Sequence, residues 1–188
     1  MTDAFDYIKT FELPSDLLSE LRTDLVNRET ELQQHTWATQ SEPGVYSIVS
    51  SDTSKESFYC LANQSLSVEV SNYCISLLCK TYSNLSLNFS TNLRYNVYPE
   101  LTGMGAHWDS VYEIFDGDLK GVPVISTVGL LKNPCEGGDL VFTNPEGDSK
   151  TFLTEEGTFI MFPSTFIYSH QVLPVISGRR DSFVFWSF

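Results

Sequence analysis

The hydrophobic period of this chain changes near residue 85, and that change limits which folds are open to it. Before it, apolar residues recur at three- and four-residue steps: Leu17, Leu18, Leu21 and Leu25, then Leu66, Val70, Tyr73, Leu77 and Leu78. Steps of that size put side chains on one stripe of an α-helix. The first stripe predicts a helix opening at Pro14-Ser15-Asp16, with Ser15 as its N-cap, that continues or frays through the polar residues 27–34. The second predicts a helix over about 65–82. Both stripes read as faces packed on a sheet rather than as partner-binding surfaces.

Past the change, Leu85, Leu87 and Phe89 alternate with polar residues, and 93–98 extends the β signal. Residues 122–131 form a largely apolar run suited to a buried strand, and further strands are expected at 139–143, 159–162 and 182–186. Turns carrying Gly and Pro divide them, at 133–137 and 144–148. Residues 5–13 read as a short opening strand or extended segment, 41–44 as a turn and 50–54 as a polar loop. Short strands behind two helices predict an α+β, mainly β fold, a double-layered antiparallel jelly roll with supporting N-terminal helices. At 188 residues, one domain over 1–188 is expected, with helical support over about 14–82 and the jelly-roll core over about 85–188.

On that frame the chemistry-bearing residues fall in a fixed order. His107-Trp108-Asp109 on an extended strand would turn two ligand side chains to one side, because side chains alternate. His170 can complete a face of two imidazoles and one carboxylate, the arrangement that holds Fe(II) with positions left open. The chain has three histidines, and two of them fall where this pattern needs them. His35, in the polar stretch Gln33-Gln34-His35-Thr36, reads as solvent-exposed. Arg180 lies ten positions beyond His170 on an alternating strand, and its planar fork suits bidentate pairing with a carboxylate.

These residues and their surroundings resemble the 2-oxoglutarate, Fe(II)-dependent oxygenases, and within them the prolyl 4-hydroxylase-like branch. The resemblance rests on Val97-Tyr98-Pro99, His107-Trp108-Asp109, Gly137-Gly138-Asp139-Leu140-Val141-Phe142, Gly157-Thr158-Phe159-Ile160-Met161-Phe162-Pro163, His170-Gln171-Val172-Leu173-Pro174-Val175 and Gly178-Arg179-Arg180-Asp181-Ser182. It covers the C-terminal half. It implies a double-stranded β-helix core and a dioxygenase using Fe(II), 2-oxoglutarate as co-substrate and O2, with ascorbate as a further cofactor the family allows. His107, Asp109 and His170 would then be the catalytic metal ligands, and Arg180 would pair with the distal carboxylate of 2-oxoglutarate.

Tyr98 corresponds to a family tyrosine near the co-substrate, with aromatic packing at a strand end as its other reading. Ser182, two residues beyond Arg180, would face the same side and could bond that carboxylate, or be a plain hydroxyl. Arg179 should point to the opposite face as a surface charge. Arg94 reads as a second anchor or as an exposed strand arginine. Family members often carry a tyrosine on the strand before the Gly-Gly motif; Val128-Gly129-Leu130-Leu131-Lys132 has none. Residues 109–121, with Tyr112, Phe115, Asp116 and Asp118, read as a flap beside the iron or an ordinary solvated loop.

The implied function is hydroxylation of an amino-acid substrate, a peptidyl, prolyl-type residue foremost, with release of succinate and CO2. The alternatives are oxidation of a nucleobase or small metabolite on the same scaffold, and a non-catalytic metal-binding jelly-roll interaction module. A net charge of −13, with 11 basic against 24 acidic residues, argues against general nucleic-acid backbone binding. Peptides or small molecules fit better as partners. No apolar run approaches a membrane span. The acidic start, Met1-Thr2-Asp3-Ala4-Phe5-Asp6, does not read as a signal peptide, so a cytoplasmic protein is expected. Cys60, Cys74, Cys79 and Cys135 show no metal-type spacing and read as buried fillers or free thiols.

Overall fold

The computed structural model describes residues 4–35, 37–42, 45–49, 57–110, 122–134 and 136–188, with the backbone alone described for 37–42 and 45–49. In chain order, strand β1 (Lys9–Glu12) precedes helix α1 (Ser15–Asn27) and strands β2 (Gln33–Gln34), β3 (Trp37–Glu42), β4 (Val45–Val49) and β5 (Phe58–Leu61). Helix α2 (Gln64–Thr81) then leads to β6 (Arg94–Tyr98), β7 (Met104–His107), β8 (Ile125–Lys132), β9 (Glu136–Gly137) and β10 (Leu140–Thr143). The chain closes with β11 (Ser149–Phe152), β12 (Thr158–Pro163), β13 (Ser169–Val172), β14 (Val175–Ser177) and β15 (Arg180–Ser187).

Two antiparallel sheets make the layers. The larger runs β1-β12-β8-β15-β6-β5-β2, and the smaller runs β11-β10-β13-β7. Between them lies an apolar cluster that includes Tyr98, Leu130, Leu140, Phe142, Ile160, Phe162 and Val172. Helices α1 and α2 cover the outer face of the larger sheet, where Leu21, Leu25, Val70, Cys74 and Leu78 pack with Tyr95, Phe159, Phe183 and Phe185. Each large side chain so buried stabilises the fold by about 1.5–3 kcal/mol. Strand alternation therefore sorts β15 into two sides. Phe183 and Phe185 look to the helices, while Arg180, Ser182, Val184 and Trp186 look into the jelly roll.

Both helical stripes form as expected, with shifted ends. Asn63 caps α2, accepting from the backbone N–H groups of Ser65 and Leu66. The cap position of α1 is Pro14, not Ser15; it makes no side-chain bond, and Asp16 instead accepts from the Leu17 N–H at 3.0 Å. The alternation of Leu85, Leu87 and Phe89 builds no strand. That segment runs beside the end of β15, joined by one bridge, Ser90 to Ser187, and by bonds such as Asn88 N–H to the Phe188 carbonyl. Leu85 and Leu87 still pack against the helical side of the core. The region between the helices, where a fraying helix end over 27–34, a turn and a polar loop are expected, contributes β2 to β5, and β5 extends the larger sheet beside β6. Of the turn expected at 41–44, residues 41–42 end β3 and 43–44 lie outside the described residues, as does the loop at 50–54.

One glycine position is dictated by packing. A Cβ on Gly129 in β8 would fall 2.0 Å from the Phe183 ring on the neighbouring strand. The next residue, Leu130, is fully buried in the interior cluster with Tyr98. It occupies the stretch in which a family tyrosine would otherwise stand.

Candidate metal centre

The two histidines meet because β7 and β13 pair with His107 directly opposite His170. Their rings lie 4.3 Å apart between centroids. Around His170 the aromatic walls are close: Phe142 stacks on it at 5.1 Å and Phe162 meets it edge-on at 5.2 Å. Asp109 joins them from just past the end of β7, in a bend, so its approach depends on that bend as well as on strand alternation. The ligand atoms of His107, Asp109 and His170 all lie within 4.8 Å of one another. Asp109 Oδ1 is 3.6 Å from His107 Nε2 and 3.8 Å from His170 Nε2.

The imidazoles are oriented by the backbone. His107 Nδ1 lies 2.8 Å from the Gly105 carbonyl, and His170 Nδ1 3.0 Å from that of Tyr168. A carbonyl only accepts, so each Nδ1 carries the hydrogen and each Nε2 presents its lone pair to the shared point. Burial, with His170 adding to it, brings the His107 pKa down to about 4, which leaves its ring neutral at pH 7. Burial works against the charged form of Asp109, but attraction to the two histidines when they are protonated, and the Ser126 and Trp186 side chains, outweigh it and draw its pKa below the usual range. Two imidazoles and a carboxylate, buried yet with His107 partly open, form a donor set suited to a divalent transition metal.

Arg180 stands at the start of β15, opposite Tyr98 of β6. It is 1% exposed, and its Nε and Nη2 have no hydrogen-bond partner among the described residues. A buried guanidinium in that state is costly, and burial lowers its pKa. A carboxylate brought beside it would match both the charge and the fork. Gly138 makes room nearby: its φ is +71°, and a Cβ there would sit 3.5 Å from Arg180 Cδ and 3.0 Å from Pro134. Tyr98 is buried, its hydroxyl donating to Met104 Sδ at 3.8 Å, and burial pushes its pKa up to about 12. Ser182 shares the inward side but donates to the Asn96 carbonyl at 3.4 Å.

Three expectations are corrected. His35 is buried rather than exposed. Pairing of β2 with β5 sets its ring 4.8 Å from that of Tyr59 and its Nδ1 3.1 Å from the Ser57 hydroxyl. Arg94 is not an exposed strand arginine: its guanidinium lies over the rings of Trp186 at 4.8 Å and Tyr59 at 5.3 Å. Arg179 is part-buried and paired with both Asp181 and Glu29 at 2.6 Å. Cys60 and Cys74 are buried free thiols and Cys79 is half-buried. Cys135 and the flap residues Tyr112, Phe115, Asp116 and Asp118 lie outside the described residues. Sequence reasoning missed Ser126 and Ser164; a hydroxyl inside the apolar run 122–131 was the available signal.

Residues 93–188 match the family model of the 2OG-Fe(II) oxygenase superfamily. A PKHD-type hydroxylase of Crocosphaera subtropica is 31% identical over 97 residues, which is 50% of this chain and 41% of that relative. The chain thus spans about two fifths of the length of such relatives. Among solved structures, a Pseudomonas putida prolyl-4-hydroxylase aligns with a TM-score of 0.66 at 17% identity, over 96% of this chain and 91% of that one. A Trichoplax adhaerens prolyl hydroxylase, solved with a hypoxia inducible factor peptide fragment, aligns with a TM-score of 0.68 at 17% identity, over 97% and 83%. The fold is therefore the double-stranded β-helix of these oxygenases. Among the described residues, no helix is long and apolar enough to cross a membrane.

Proposed function

The chain belongs to the 2OG-Fe(II) oxygenase superfamily, and from that membership we propose that it is a dioxygenase hydroxylating an amino-acid substrate, a peptidyl, prolyl-type residue foremost. The observation that carries this reading is the buried Arg180 fork, with two donor nitrogens lacking partners, in the same interior as the converging His107, Asp109 and His170. A metal site alone would not need such an arginine. Relatives named as PKHD-type hydroxylase and neighbours named as prolyl hydroxylases support the choice of substrate class.

In this reading His107, Asp109 and His170 hold Fe(II), and Arg180 pairs with the distal carboxylate of 2-oxoglutarate. Bound together, the iron, 2-oxoglutarate and O2 supply the oxidising power that hydroxylates a C–H bond and releases succinate and CO2. The chain's own residues do the positioning. Backbone carbonyls of Gly105 and Tyr168 fix the imidazole tautomers. Phe142 and Phe162 shield His170 from water. Tyr98, opposite Arg180, closes the co-substrate end with a neutral phenol, and Ser182 lines the strand beside it. The test is succinate release with Fe(II) and 2-oxoglutarate, screened against proline-containing peptides, free amino acids and oligonucleotides. Turnover with peptides or amino acids is expected; stimulation by oligonucleotides alone would overturn the substrate class.

A further inference from the structure

The two carboxylate oxygens of Asp109 have different surroundings. Oδ1 faces both imidazoles. Oδ2 accepts a 2.6 Å bond from the Ser126 hydroxyl, and Ser126 Oγ lies 2.8 Å from Ser164 Oγ. Ser126 and Ser164 are 0% and 1% exposed, so bulk solvent does not reach either contact. Each serine carries one hydroxyl proton, and a carboxylate that binds metal can only accept. Ser126 therefore spends its proton on Asp109, and the contact with Ser164 must be filled by the proton of Ser164. The chain of bonds runs one way, from Ser164 to Ser126 to Asp109. It also comes from the opposite layer. Ser126 belongs to β8 and Ser164 follows β12 in the larger sheet, whereas both histidines belong to the smaller one.

We propose that Ser164 and Ser126 form a directed relay that holds Asp109 as a one-oxygen metal ligand and so keeps one coordination position open beside it. The proposal rests on the metal reading of His107, Asp109 and His170. A carboxylate free to rotate can bind through both oxygens. With two imidazoles, a two-oxygen Asp109 would fill a fourth position, and the three that a chelating co-substrate and O2 require would no longer be available. The Ser126 bond works against that option by taking one lone pair of Oδ2 and tying that oxygen to the larger sheet. Ser164 strengthens it by polarising the Ser126 hydroxyl in a dry environment. Neither serine touches substrate; both act through Asp109 as positioning residues.

The experiment uses the full chain and its Ser126→Ala, Ser164→Ala and Ser126→Thr variants, with circular dichroism confirming that each is folded. Mn(II) affinity is read by calorimetry, and the coordination of Co(II) by its ligand-field spectrum. Ser126→Ala should weaken Mn(II) binding by about 10–100-fold, the range for loss of an outer partner of a ligand, and should change the Co(II) spectrum. Ser164→Ala should do less, within about tenfold. Ser126→Thr, which keeps the hydroxyl, should restore the wild-type spectrum. Metal uptake by the wild type combined with unchanged affinity and spectrum in Ser126→Ala would overturn the relay while leaving the metal reading intact. A wild type that takes up neither ion would overturn both.

Discussion

Replacing Arg180 by Met should make the protein more stable and at the same time blind to its co-substrate. Arg180 is 1% exposed, and its Nε and Nη2 are unsatisfied among the described residues. The folded protein therefore carries the desolvation cost of a charge without the usual compensation. Met retains most of the apolar stem and volume but brings no charge. Exchanging buried charged groups for well-packed apolar ones stabilises by about 1–4 kcal/mol, and a rise of that size in urea unfolding is expected without 2-oxoglutarate. The same change deletes two hydrogen bonds to a charged acceptor at about 1.5–3 kcal/mol each. Affinity for 2-oxoglutarate should fall by roughly 10²–10⁴-fold. With Mn(II) present and 2-oxoglutarate at 100 times the wild-type dissociation constant, the wild type should gain about 2.7 kcal/mol and Arg180→Met at most about 0.4 kcal/mol. Arg180→Lys, which keeps the charge but loses the planar fork, should fall between them. An Arg180→Met protein that is less stable than the wild type, yet equally protected by 2-oxoglutarate, would refute the reasoning on both counts.

Asp109→Ala should remain folded but lose metal affinity by more than the roughly 10–100-fold typical of an outer-shell partner, and uncoupled succinate production should vanish. Wild-type-level succinate from the folded variant would refute the triad, while Zn(II) or Mn(II) should fill the wild-type site without supporting turnover. His35 makes the fold acid-sensitive: burial, with Arg94 adding to it, holds its pKa near 3, against 6.5 when exposed. The unfolded chain takes up the proton first as pH falls, so stability contributed by this group is complete above about pH 7.5 and declines through the window from 6.5 to 3. The loss by pH 5.5 is about 1.4 kcal/mol; His35→Gln should show an acid limb shallower by that amount, and identical limbs would mean His35 is solvated. Gly129→Ala should cost about 1–3 kcal/mol by driving a methyl into the Phe183 ring, and an unchanged midpoint in urea would show that this contact relaxes freely.

The metal centre was legible because its residues are few and lie in local motifs. His107 and Asp109 are two apart, and His170 is set by a strand whose partner is His107 itself. The helices were legible from their stripes, since burial of Leu21 or Val70 depends on one face only. What stayed hidden depends on pairings between distant residues. His35 sits among glutamines, and the short pairing of β2 with β5, 26 residues apart from Gln33 to Tyr59, makes it interior. Leu85, Leu87 and Phe89 carry a strand's period, yet the chain there meets β15 through scattered bonds rather than a ladder. Ser126 lies unmarked inside a largely apolar run, and its contact with Asp109 depends on the bend past the end of β7.

The metal triad is also a seam. His107 and His170 belong to the smaller sheet, and Asp109 is tethered through Ser126 to the larger one. An ion gripped by all three residues would therefore clasp the two layers at that end of the barrel. The order in which the molecule comes apart should then depend on its metal. Loaded, the layers part last at this end; stripped, the hydrogen bonds through Ser126 and the packing of Phe162 on Phe142 and His170 are left to resist their separation. Metal loading would in this way set how long that end of the fold resists proteolysis.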